Sequence, residues 1–178
     1  MKAKNLLIGV LFLGSTIISN AQIKFTAEGK TITSFDIKSD DFKVIFTVPE
    51  KAIKFDQILF GIEDYRNVTR FNPAFSTARY YPADKFNAGE THEMWVMKPG
   101  HEDGDFCSSN SGGTFCYNPR YIAEDFNRNF ETLELEVKIM GRNIIKYTFN
   151  NQGEQVPVYE TADIVSKKIT MDLGPIIQ

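Results

Sequence analysis

Histidine, cysteine and tryptophan are scarce in this chain of 178 residues: two, two and one. The cysteines, Cys107 and Cys116, do not form a C-x-x-C pair, which excludes thioredoxin-like redox chemistry. A structural zinc site takes four nitrogen or sulfur ligands, so it would need Cys107, Cys116, His92 and His101 all to converge. No Gly-x-Ser-x-Gly elbow is present, and Ser108, Ser109 and Ser111 near His101 therefore lack the rigid seat a nucleophile requires. Adjacent carboxylates such as Glu63-Asp64 and Glu124-Asp125 would diverge on a strand or helix and do not form a glycosidase pair by themselves. No Gly-, Ser- or Pro-rich stretch is long enough to be a linker.

The N-terminus reads as a secretory leader. Lys2 and Lys4 precede an apolar run, Leu6 to Gly14, and Ser19-Asn20-Ala21 offers small residues for cleavage after Ala21. Ser15, Thr16, Ser19 and Asn20 dilute the run below a membrane span. With no cysteine near the cut, a lipid anchor has no attachment point, so residues 22–178 are expected to be secreted or periplasmic with no transmembrane span. The ending Asn-Ala-Gln resembles secretory leaders of Bacteroidota. Removing residues 1–21 leaves 18 basic against 23 acidic side chains, a net charge of −5. Such a surface repels phosphate backbones, which argues against nucleic acid as a partner.

What the mature chain has in abundance is large rings: fifteen phenylalanines and seven tyrosines. They recur with a period of two, the period of a strand with one buried face. Phe42, Val44, Phe46 and Val48 share one face, and Leu133, Leu135, Val137 and Ile139 share another. Further strands are expected at 23–27, 31–37, 55–62, 78–81, 91–98, 143–149, 155–159 and 164–173, with turns at Met140-Gly-Arg-Asn143 and Asn150-Asn-Gln-Gly153. Gly141 is read as supplying positive φ in the first of these. One segment breaks the period: Asn118 as N-cap, Pro119 at the first helical position and Ile122, Phe126 and Phe130 spaced by four predict a short helix over 119–129. The pattern predicts an all-β fold, an antiparallel β-sandwich of jelly-roll or immunoglobulin-like type, in a single domain spanning 22–178.

The stretch Gly100 to Pro119 holds both cysteines. In an exported protein, Cys107 and Cys116 most simply bond to each other and close the polar segment between them. Glu102, Asp103 and Asp105 around Gly104 form a candidate calcium site, although the EF-hand order and its distal glutamate are missing. No other cofactor is indicated. Between Tyr65 and Trp95, arginines interleave with rings that Asn-Pro and Tyr-Pro breaks place in loops. Tyr65, Arg66, Arg70, Arg79, Tyr80, Tyr81 and Trp95 are the candidate binding residues, because protein interfaces enrich aromatic rings and arginine.

These observations predict an exported, non-catalytic binding protein of a bacterial envelope. Its partner would be an envelope or outer-membrane protein, met by the aromatic and arginine loops and the stapled loop. One alternative is a carbohydrate-binding module, calcium-stabilised through the 102–105 acids, with glycan on the same rings. The other is a metal-assisted hydrolase in which His92 or His101 meets carboxylates at a cleft floor.

Overall fold

The computed structural model describes residues 23–38, 41–66, 75–99 and 104–177. The leader, Arg70, His101, Glu102 and Asp103 lie outside them. In chain order the strands are β1 (Ile23–Ala27), β2 (Lys30–Ile32), β3 (Ser34–Asp36), β4 (Phe42–Thr47), β5 (Gln57–Tyr65), β6 (Phe75–Pro82), β7 (Thr91–Met97), β8 (Cys107–Asn110), β9 (Gly113–Cys116), β10 (Thr132–Phe149) and β11 (Gln155–Asp172). A four-stranded sheet runs β2-β1-β4-β7, and a five-stranded sheet runs β3-β11-β10-β5-β6. The short β8–β9 hairpin stands apart from both. The fold is an all-β sandwich, as the alternation predicts.

The two sheets meet through rings. Phe46 of β4 stacks on Phe60 of β5 with centroids 4.3 Å apart, and Phe35 of β3 stacks on Phe42 of β4 at 4.5 Å. Phe42, Val44, Phe46 and Val48 are buried on one side, and Leu133, Leu135, Val137 and Ile139 on the other. At roughly 25 cal/mol per Å² of apolar surface removed from water, this shared layer is the main force closing the sandwich.

Several expectations change, among them the strands expected at 155–159 and 164–173, which are one continuous strand, β11. The strand expected over 31–37 breaks at Thr33, where the chain leaves the edge of one sheet and joins the edge of the other. Because it continues in the same sense, β3 pairs with β11 in parallel, the one departure from an antiparallel pattern among the described pairs. Residues 140–143 are not a turn: β10 runs unbroken through them beside β11, and the positive-φ glycines do not include Gly141. Glycine is required there for a different reason, since a Cβ would fall inside the ring of Phe55. The helix α1 occupies only Pro119–Ala123, capped as expected by Asn118, whose side chain accepts from the Arg120 amide. It stops there because Asp125 Oδ1 accepts from the Asn127 amide and the chain turns, leaving Phe126 74% exposed.

β10 and β11 each hold 18 residues, roughly three times the usual strand length. β5 accompanies β10 only as far as Arg142, opposite Gln57. Beyond that point the hairpin continues as a two-stranded arm to the turn at Asn150–Gly153, which is closed by the Gly153 amide donating to the Asn150 carbonyl.

Candidate functional site

The sequence-predicted residues separate into three places. The first is a cleft of about 210 Å³ at the end of β5 away from the arm, lined by Arg66, Phe75, Cys116, Tyr117, Tyr121 and Asp125. Here the structure brings Arg66 together with the stapled hairpin. Cys107 and Cys116 are bonded and sit opposite each other in the β8–β9 register. Tyr117 follows with its ring fully buried against Phe75, centroids 5.1 Å apart. Arg66 pairs at 3.0 Å with Asp64, whose side chain has no exposed surface. Burial pushes the Asp64 carboxyl up, and the Arg66 charge only partly offsets it.

The second place is the seam between β6, β7 and the segment before β8. Asp105 is committed to holding that segment: its amide donates to the Trp95 carbonyl at 2.7 Å, its Oδ2 accepts from the Trp95 amide at 2.7 Å, and Lys98 Nζ lies 3.1 Å from Oδ1. Arg79 donates to the Asp105 carbonyl at 3.3 Å. Gly104 permits the approach, since a Cβ there would collide with the Trp95 and Val96 carbonyls. Trp95 is half-buried and carries Lys43 Nζ 4.2 Å above its ring. Tyr81 packs against Phe60 and Phe86, so it belongs to the core margin rather than to a binding loop. Among the described residues no group of three His, Cys, Asp or Glu side chains is placed to hold a metal ion. His92 stacks on Phe46 and meets Phe86 edge to face, with Glu90 3.4 Å away.

The third place is the outer face of the five-stranded sheet. Near the cleft end it is a polar network. Register sets Glu63 directly opposite Glu136, and the like charges are reconciled by Tyr65, whose hydroxyl lies 2.8 Å from both carboxylates, and by Lys138, 2.9 Å from Glu63. Tyr65 is buried and structural, and burial with its two carboxylate partners pushes its hydroxyl well above the usual phenol range. Toward the arm the same face turns aromatic. Arg142 lies 3.1 Å from the Tyr159 ring centroid and 4.8 Å from that of Tyr80, which is half exposed. Beyond them along the arm come Ile144, Ile145, Tyr147 and Phe149, all exposed.

Of the candidate binding residues only Tyr80 contributes to this ridge. Arg142 and Tyr159 are hidden from sequence reading because the turn signal at Gly141 removes Arg142 from any sheet face. The signal that is available is the run Ile145, Tyr147, Phe149, an apolar alternation beyond the length that the rest of the sandwich covers.

No family model, characterised protein or solved structure matches this chain. The fold and the site define it as an all-β sandwich with a disulfide-closed hairpin and a projecting arm. The described residues include no helix long and apolar enough to cross a membrane.

Proposed function

We propose that this chain is an exported, non-catalytic binding protein of a bacterial cell envelope that recognises a protein partner. The observation that carries the reading is the Tyr80–Arg142–Tyr159 stack on the outer face of the five-stranded sheet. Stacking between rings holds the guanidinium in place, so little side-chain freedom is lost when its N–H edge meets a carboxylate. Tyrosine and arginine are also the residues on which interface energy concentrates. The partner is therefore a protein that presents an acidic side chain bordered by apolar surface. The disulfide supports export, because such bonds persist in oxidising compartments, and so does the leader.

Tyr80→Ala and Arg142→Ala are each expected to weaken recovery of the native envelope partner by on the order of tenfold or more, as hot-spot truncations do. Circular dichroism and the thermal midpoint should stay close to those of the parent. Unchanged recovery by both folded variants overturns the reading.

A further inference from the structure

The arm has an unpaired edge of defined length. The pairing of β5 with β10 reaches no further than Arg142, so the outer side of β10 beyond that residue has no neighbouring strand among the described residues. Asp56 closes the first position, with its Oδ2 accepting from the Ile144 amide at 3.3 Å and its own amide donating to Asn143 Oδ1 at 2.8 Å. The turn at Asn150 closes the other end. What stays open is Ile145, which lies at a register shift of β10 against β11, to Phe149, and Ile145, Tyr147 and Phe149 are 56%, 57% and 71% exposed. A lone two-stranded ribbon is marginal in water, whereas three or more strands with an apolar face are stable. The opposite edge of the arm, on β11, is protected by Pro157, Glu160 and Asp163, residues of the kind that discourage strand pairing.

We infer that the Ile145–Phe149 edge pairs antiparallel with the same edge of a second copy of this chain. In a two-fold pairing across a sheet, opposed residues must share a face, so one residue lies opposite its own copy. Using the whole open edge puts the axis at its midpoint, Tyr147. Ile145 then meets Phe149 of the second copy, Lys146 meets Thr148, and no like charges oppose. Centring one residue earlier would set Lys146 against itself.

The same register brings the Asn150–Gly153 turn of the second copy alongside Asn143 and Ile144, where the β5 pairing stops. A groove of about 490 Å³ lies there, lined by Ile53, Phe55, Asp56, Pro82, Asp84 and Phe86. The projecting polar turn, Asn150 to Gly153, and a groove at the root of the arm lined partly by Asp56 and Asp84 are thus matched by one symmetry operation, which favours a second copy over an unrelated strand. The exposed arm side chains and Ile53 present on the order of 500 Å² per copy. Only if all of it were covered would two copies together reach the roughly 1,000 Å² at which specific interfaces begin, so the backbone pairing carries most of the contact.

The test is oxidation of single-cysteine variants of the full protein with its native cystine intact. Tyr147→Cys is expected to give a covalent dimer readily, while Lys146→Cys and Thr148→Cys, which do not face themselves, give on the order of tenfold less. In sedimentation the parent is expected to be a dimer at about 100 µM and Tyr147→Lys a monomer. Cross-linking of equal yield at 146, 147 and 148, or a parent that is monomeric at about 100 µM, overturns the inference, and the cross-link decides alone if Tyr147→Lys fails to fold. A monomer that still retrieves its partner through Tyr80 and Arg142 removes this inference and leaves the proposed function intact. A dimer that retrieves nothing does the reverse.

Discussion

At the scale of the residue, Asp64 shows how burial and pairing compete. Its carboxylate has no exposed surface, and Arg66 beside it does not fully offset the loss of water, so its pKa lies above the ordinary 3.8. Below pH 3.8 the folded and unfolded chains both hold the proton, and no cost arises. As the pH rises, the unfolded chain releases it first while the folded chain retains it, so this group's contribution to stability falls until the raised pKa is passed. An asparagine in its place could not titrate. In urea titrations of the parent and Asp64→Asn between about pH 4 and pH 7, the difference in stability is therefore expected to move in favour of the variant as pH rises and then to level off once the raised pKa is passed. A difference that stays flat would show that Arg66 balances desolvation, and one that moves toward the parent would show that it outweighs it.

At the scale of the element, the β8–β9 hairpin could not persist on its own two strands of four residues. The cystine holds it, bridging residues nine apart in sequence. Limiting the unfolded chain in this way contributes about 2–3 kcal/mol in the chain-entropy account. Replacing both cysteines by serine is expected to lower the unfolding free energy by about that amount in urea titration, and a loss below about 0.5 kcal/mol would mean that the packing of Phe106 and Tyr117 holds the hairpin unaided. The pairing of Cys107 with Cys116 was legible because the chain has no other cysteine. That the intervening segment is paired strand rather than loose loop was not, since Ser-Ser-Asn-Ser-Gly-Gly-Thr carries no apolar alternation. Gly141 misleads for a related reason. A glycine between two apolar runs reads as a turn, and only the Phe55 ring packed against it shows that the missing Cβ serves a straight strand.

At the scale of the whole molecule, position decides what a phenylalanine contributes. Phe60 is 2% exposed and links the two sheets through Phe46, whereas Phe149 is 71% exposed near the tip of the arm. Phe60→Ala is expected to cost about 3–5 kcal/mol, a large part of the roughly 5–15 kcal/mol that holds a typical domain folded. Phe149→Ala, measured in dilute solution, is expected to change stability by no more than about 0.5 kcal/mol. Similar losses for the two variants in denaturant titration would mean that the arm folds as part of the core.

The sequence by itself determined the two apolar faces of the sandwich, because a period of two in Phe42–Val48 and Leu133–Ile139 assigns alternate side chains to the core whatever the strand order. It also determined the helix cap at Asn118 and the partner of each cysteine. Only the tertiary structure decided that the chain changes sheets at Thr33, that β10 and β11 outrun their neighbours, and that Arg142 lies between Tyr80 and Tyr159. Those features depend on which strands lie side by side and where each one stops. Hydrophobic alternation is local, the same whether a strand is covered or projects into solvent, so it carries no record of either.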